Sequence, residues 1–215
     1  ETAIEHITGE NVDLIASGRT DAGVHALGQI ANFKTNSNIA IEKIPIAINS
    51  LVKKSIRIQN AEEVDEKFHS RFNCKRKTYR YVIDNSKYGT AIYRNISYHI
   101  ATKLDVEAMK KAVKYFEGEH DFKAFKSSGT SSKSSVRTIY SANVLVEGDN
   151  IAVDLTGNGF LYNMVRIIAG TLVDVGLGKI KPEEIPSIIE SKDRTKAGKT
   201  LPPQGLMLLR VDYEQ

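Results

Sequence analysis

Tryptophan is absent from these 215 residues and cysteine occurs once, at Cys74. A single cysteine excludes a disulfide within the chain and leaves no Cys-rich metal site. No apolar run approaches the roughly 20 residues of a bilayer span. The polar stretch from Glu1 to Glu10 carries no signal-peptide pattern. A cytoplasmic location is therefore the expectation. The chain also lacks a phosphate-binding loop, a metal-ligand cluster and a dinucleotide fingerprint, and no heptad or solenoid period recurs. Its 26% charged and 41% hydrophobic residues are ordinary for a soluble globular protein. The length suits one large domain or two small ones.

What is present is an uneven distribution of charge. The formal net charge is +4, too small by itself to identify a nucleic-acid partner. Its placement says more. Arg71, Lys75, Arg76, Lys77 and Arg80 fall in a stretch without a single acid, and Lys123, Lys126, Lys133 and Arg137 fall in another, from Phe122 to Val146. Such stretches suit surfaces that meet phosphates, although a solvated basic face has the same composition.

Hydrophobic periodicity divides the chain into an N-terminal unit, 1–100, and a C-terminal unit, 101–215. The first predicts strands at Val12–Ala16, Gln29–Phe33, Ser55–Val64 and Thr78–Asp84, and a helix between Ile41 and Val52 with Pro45 in its first turn. The second predicts a helix opened by Thr102, with Asp105 at capping-box spacing from it, and stopping before Gly118. A low-complexity loop, 127–135, follows. Then come strands at Thr138–Val146 and Ile151–Thr156, and helices at Tyr162–Val175 and Pro182–Ser191. Met207, Leu209 and Val211 form a closing strand. Strands and helices mixed in both halves predict an α+β fold with largely antiparallel sheets flanked by helices.

The most unusual segment is Ser17-Gly18-Arg19-Thr20-Asp21-Ala22-Gly23-Val24-His25-Ala26, which places an acid, an arginine and a histidine in one polar turn. Asp21 could close an Asx-turn on its own backbone, the ordinary use of Asp beside Gly. Arg19, able to pair with a carboxylate or phosphate, is superfluous to such a turn. A hydrolase reading would pair Asp21 with His25 or His120 as a base, but no motif supplies a second acid. Further on, Tyr79 and Tyr81 share a strand face, where core packing is the ordinary explanation. Arg166 lies in the apolar run Met164-Val165-Arg166-Ile167-Ile168, where a half-buried cation needs an acid partner. Asp154 and Asp174 are local candidates.

The run from Gly18 to Ala26 resembles the signature of the tRNA pseudouridine synthase A family. Arg71-Phe72 with Lys77-Thr78-Tyr79-Arg80-Tyr81, then Phe160-Leu161-Tyr162-Asn163-Met164-Val165-Arg166, and finally Arg194-Thr195-Lys196-Ala197 with Pro202-Pro203-Gln204-Gly205-Leu206 resemble its other motifs in order. Leu201 stands where the family often has alanine. The family's N-terminal strand, with a Phe-x-Gly-Trp-Gln element, has no counterpart here, so the resemblance implies a chain that starts inside the first helix. It also implies the pseudouridine synthase fold, two α/β subdomains with an active-site cleft between them.

The activity implied is isomerisation of uridine to pseudouridine at positions 38 to 40 of the tRNA anticodon arm, by a homodimer that needs no cofactor or metal. The catalytic residues implied are Asp21 as nucleophile, Arg166 as its counter-ion and Tyr79 stacked on the base. Arg19 would brace the vacated stack, Leu206 would wall the uracil pocket, and Arg76, Lys77 and Arg80 would meet the RNA backbone. His25 would be structural. A non-catalytic RNA-binding protein of the same fold is the alternative.

Overall fold

Strand alternation and helical periodicity change over repeatedly along the chain, and the backbone follows them. In chain order the computed structural model, which describes residues 1–129 and 134–213, runs α1 (Thr2–Thr8), β1 (Ile15–Ala16), β2 (His25–Ala26), β3 (Ala31–Asn32), α2 (Ile44–Leu51), β4 (Arg76–Asp84) and β5 (Tyr98–His99). It continues with α3 (Val106–Val113), β6 (Gly118–Asp121), β7 (Val136–Glu147), β8 (Asn150–Gly157), α4 (Met164–Gly176), α5 (Ile185–Ser191) and β9 (Leu206–Asp212). Lys133, with the loop residues 130–132 around it, lies outside the described residues. No helix among the described residues is long and apolar enough to cross a membrane.

Two compact units result, and they are not the two halves expected. The first comprises 1–19 and 30–73; the second comprises 20–29 and 74–215. The boundary expected near Ala101 falls inside the second unit. Its position was misread because β4, early in the chain, pairs with both β8 and β9, late in it.

In the first unit β1 and β3 pair antiparallel, Ile15 opposite Asn32 and Ala16 opposite Ala31. Ile4 of α1, Val12 and Ile48 of α2 form its buried centre, with Leu14, Phe33, Ile44 and Ile58 packed around them. The strand expected over Ser55–Val64 does not form. Asn49 on α2 explains why: its Nδ2 donates to the Ile58 carbonyl at 2.8 Å and its Oδ1 accepts from the Ile58 amide at 2.8 Å. One side-chain amide thus supplies the pair of hydrogen bonds a neighbouring strand would have given.

The second unit is built on a sheet of order β2-β9-β4-β8-β7-β6, with β5 also on β4. All pairs are antiparallel except β2 with β9 and β5 with β4. Tyr81, Ile83, Ile151, Val153, Leu155, Ile139, Ala142 and Val144 turn to the core face, under α3 and α4. The opposite face carries Arg80, Asp154 and Asn143 in register. Asp105 and not Thr102 caps α3, its carboxylate accepting from the Ala108 amide at 3.0 Å, so the helix opens three residues later than the spacing predicts. Met207, Leu209 and Val211 do not share one face. A register shift opposite Thr78/Tyr79 leaves Leu209 as an extra residue, so Leu206, Leu208 and Val211 are the buried ones.

Asp84, at the end of β4, is a buried charge that the fold satisfies locally. Burial pushes its carboxyl pKa up. The Ser86 hydroxyl and amide and the Thr90 amide more than offset this, so the net shift is downward. A depressed folded-state pKa gives stability that is present above the unfolded value, about 3.9, and is lost as pH falls through the folded value. Asp84→Ala is therefore expected to lose about 2 kcal/mol at neutral pH, because two half-buried amides lose their acceptor. Urea unfolding at pH 7 and at pH 3 checks this: the gap between wild type and variant should narrow on acidification.

Candidate active site

The glycines of the signature segment are used to seat it on the sheet. β2 lies parallel to β9, with His25 opposite Met207 and Ala26 opposite Leu208, and the Leu27 amide donates to the Leu208 carbonyl at 2.9 Å. Gly28 follows, where a Cβ would come within 2.4 Å of the Leu209 carbonyl oxygen. On the other side of β2, the Val24 amide donates to the Asp21 carbonyl at 3.0 Å. Gly23 has φ +84°, the positive value a type II turn requires at its third position. The result is a tight turn pinned to a strand, with Asp21 at its head.

The Asp21 carboxylate does not close an Asx-turn. Its Oδ2 lies 3.7 Å from Nη1 of Arg166, and the two side chains are 42% and 14% exposed, respectively. The local acids are otherwise engaged: Asp154 with Arg80, Asp174 with Lys179. Arg166 is fixed on two further sides. Its Nε donates to the Leu201 carbonyl at 2.6 Å and its Nη1 to Asn163 Oδ1 at 2.7 Å. A half-buried guanidinium held by a carbonyl and an amide can present its remaining charge in one direction only, toward Asp21.

Leu201 reaches Arg166 because segment 197–201 lies directly on α4. Gly170 and Gly198 meet there; a Cβ on Gly170 would stand 1.9 Å from the Lys199 carbonyl oxygen, and one on Gly198 2.5 Å from the Thr171 nitrogen. The Thr171 hydroxyl accepts from the Gly198 amide at 2.8 Å and closes the contact.

Tyr79 completes the group. Burial, and then the nearby Asp21 charge, push its phenol up to about 12, so the hydroxyl stays neutral across the physiological range. Its ring meets Phe160 edge-on at 5.2 Å. Tyr81 is core: fully buried, its hydroxyl donates to the Pro202 carbonyl at 2.7 Å, and burial shifts its pKa upward. Leu206 is buried opposite Tyr81.

The remaining residues singled out in the sequence are dispersed. Arg80 is on the sheet face opposite Tyr79 and binds Asp154 through two hydrogen bonds of 2.7 Å. Arg76 shares that face and stacks over Tyr140, whereas Lys77 is on the Tyr79 face. Arg19 belongs to the first unit and is exposed. His25 Nε2 sits 2.7 Å from the Asn95 carbonyl, and His120 Nε2 is 2.9 Å from the Glu117 carbonyl. Each imidazole is thus held by backbone rather than by Asp21. Among the described residues no group of three or more His, Cys, Asp or Glu is placed to hold a metal ion.

Sequence reasoning missed Asn163. It has φ +61°, unusual for a side chain other than glycine, and its amide joins Arg166 on one side to the Ser127 hydroxyl, 3.0 Å away, on the other. An asparagine at the start of an apolar helix is the only hint of this, and helix capping gives the same hint.

A carboxylate on a tight turn, a buried arginine facing it and a neutral tyrosine beside it form a site without a histidine base. Comparison with known proteins bears on the chain as a whole. The family model described as tRNA pseudouridine synthase matches residues 1–73 and 112–214. A tRNA pseudouridine synthase A of Caldicellulosiruptor saccharolyticus is 56% identical over 213 residues, covering 99% of this chain and 87% of that protein. Proteins of the same name from Caldicellulosiruptor bescii and Thermoanaerobacter pseudethanolicus are 54% and 52% identical over the same shares. With its motifs in order and matched almost from end to end, the chain belongs to the tRNA pseudouridine synthase family.

Proposed function

We propose that this protein isomerises uridine to pseudouridine in tRNA, with Asp21 as the nucleophile. The observation that carries the reading is the Asp21–Arg166 pair at 3.7 Å beside Tyr79, in a chain of this family. The reaction breaks the N1–C1′ bond, turns the uracil and forms a C5–C1′ bond; the proton leaves C5 and N1 gains one. Nothing is oxidised, and no group is lost to water. A carboxylate that engages the nucleoside and releases it unchanged is what such chemistry needs, and Arg166 orients it.

Tyr79 is assigned to stacking on the uracil once the nucleotide has left its own stack. Stacking needs the ring, and the neutral hydroxyl adds little. Tyr79→Phe should retain turnover within about tenfold, whereas Tyr79→Ala should lower kcat/KM by roughly 10- to 100-fold, the loss of one base stack. Single-turnover and steady-state assays on a tRNA transcript check both. Leu206 is assigned to the wall of the uracil pocket, Arg19 to bracing the vacated stack, and Arg76 and Lys77 to the RNA backbone. Arg80 suits that last role less, since Asp154 already binds its guanidinium.

The finer reading places the target uridines at positions 38 to 40 of the anticodon arm and the protein in a homodimer in the cytoplasm. Tyr88 and Ile92 support the dimer: they are more than four-fifths exposed within a single short segment, more apolar surface than a solitary protein gains from showing.

The test is tritium release from tRNA labelled at C5 of uridine. Release from a wild-type anticodon arm, and none when cytidine replaces the uridines at positions 38 to 40, is the expected result. Tight binding of tRNA with no release would favour the non-catalytic alternative.

A further inference from the structure

In the second unit a cavity of about 560 Å³ is walled by Lys123, Lys126, Ser127, Lys192, Arg194 and Thr200, with no acid among the described residues that line it. The charges around it are unequal in what they already do. Lys192 is matched by Asp121 at 3.0 Å. Arg194 spends donors on the Ala197 and Gly198 carbonyls and the Thr200 hydroxyl, contacts that fix the guanidinium but leave its charge unbalanced. Lys123 and Lys126 form no ion pair among the described residues. Two ammonium groups outside any ion pair among the described residues, a fixed guanidinium and hydroxyls around one hollow are complementary to a tetrahedral oxyanion.

The cavity also adjoins the candidate catalytic pair through hydrogen bonds. The Ser127 hydroxyl in its wall accepts from Asn163 Nδ2 at 3.0 Å, and Asn163 Oδ1 accepts from Arg166 at 2.7 Å. From the other wall, Thr200 precedes Leu201, whose carbonyl accepts from Arg166 Nε at 2.6 Å. An anion seated here is therefore one residue removed, on each wall, from the two groups that hold the arginine facing Asp21.

We infer that this cavity is a subsite for a backbone phosphate of the RNA, close to the nucleotide being modified, with Lys123 and Lys126 as its contacts. The inference rests on the proposed action on tRNA and names where a phosphodiester of that substrate is gripped. It accounts for the second acid-free stretch of the sequence, which the candidate catalytic residues leave unused.

The experiment compares the full chain with Lys123→Gln/Lys126→Gln, and with Lys103→Gln/Lys110→Gln as an equal loss of charge elsewhere in the same unit. The readouts are tRNA dissociation constants over a series of salt concentrations, and kcat and KM by tritium release. The expected result is roughly tenfold weaker binding by the cavity variant, a salt slope flatter by about one to two, a matching rise in KM and an unchanged kcat. Lys123→Arg/Lys126→Arg should restore binding. Wild-type affinity and slope in the cavity variant, or losses equal to those of the control pair, would overturn the inference. So would a fall in kcat with binding intact, which would make the lysines part of the chemistry. Binding of radiolabelled inorganic phosphate that the cavity variant loses, with tRNA affinity unchanged, would assign the hollow to a free oxyanion and overturn it too. The binding arm needs no turnover, so failure of the enzymatic reading shows separately, as a wild-type protein that binds tRNA and releases no tritium.

Discussion

Asp21→Asn is expected to abolish tritium release, lowering the rate by about 10⁴-fold or more, while tRNA binding changes no more than a few-fold. The magnitude follows from the proposed role: removing a covalent nucleophile would forfeit a whole reaction path and not one contact. The selectivity follows from the geometry. Asn has the shape of Asp, and the turn at Asp21 is held by the backbone bond from Val24 and by Gly23, neither of which involves the carboxylate. The ion pair with Arg166 is lost, but Leu201 and Asn163 still hold that side chain. Thermal unfolding should move little. Single-turnover assays at saturating enzyme measure the chemical step directly. A variant that retained a tenth of the wild-type rate would remove Asp21 from the role of nucleophile.

Gly170→Ala should damage both stability and activity. Its Cβ would stand 1.9 Å from the Lys199 carbonyl oxygen, a backbone atom with no rotamer to yield. Either α4 or segment 197–201 must move. We expect a loss of about 3 kcal/mol or more, at the upper end of overpacking costs, read as a fall in the urea midpoint. Activity should drop further than unfolding explains, because displacing Lys199 also displaces Leu201 from Arg166. Gly148→Ala is the useful contrast: its φ is +60° with nothing within 4 Å of an added Cβ, so only backbone strain of about 1 kcal/mol is at stake. Equal midpoints for the two variants would mean that the strap on α4 yields at no more than that small cost.

How much of this was legible in the sequence depended on the range of the interaction involved. The alternation of β8 and the apolar run of α4 are local, and each was readable from spacing, although the cap of α3 fell on Asp105 and not on Thr102. The absence of a strand over Ser55–Val64 was not, because the competing partner is one amide on another element, and composition does not reveal Asn49 facing Ile58. The alternation of Met207, Leu209 and Val211 suggested a face that one extra residue in β9 abolishes. At the site, a half-buried Arg166 demanded an acid. The choice of Asp21 over Asp154 and Asp174 came from resemblance, and in the structure Arg80 and Lys179 occupy the other two. The link from Asn163 to Ser127 joins residues far apart in sequence and common in type, so it left no trace to read.

The parallel pairing of β2 with β9 also sets an order of events during synthesis. A ribosome delivers the turn bearing Asp21 about 180 residues before the strand that turn docks on, Leu206–Asp212. Until then the segment 20–29 has no sheet to join, although the two stretches that flank it belong to a separate unit able to collapse first. Contacts this distant in sequence close slowly. A nascent chain that stops short of Asp212 therefore carries the signature without its seat, and the candidate nucleophile is positioned only once translation has passed that residue.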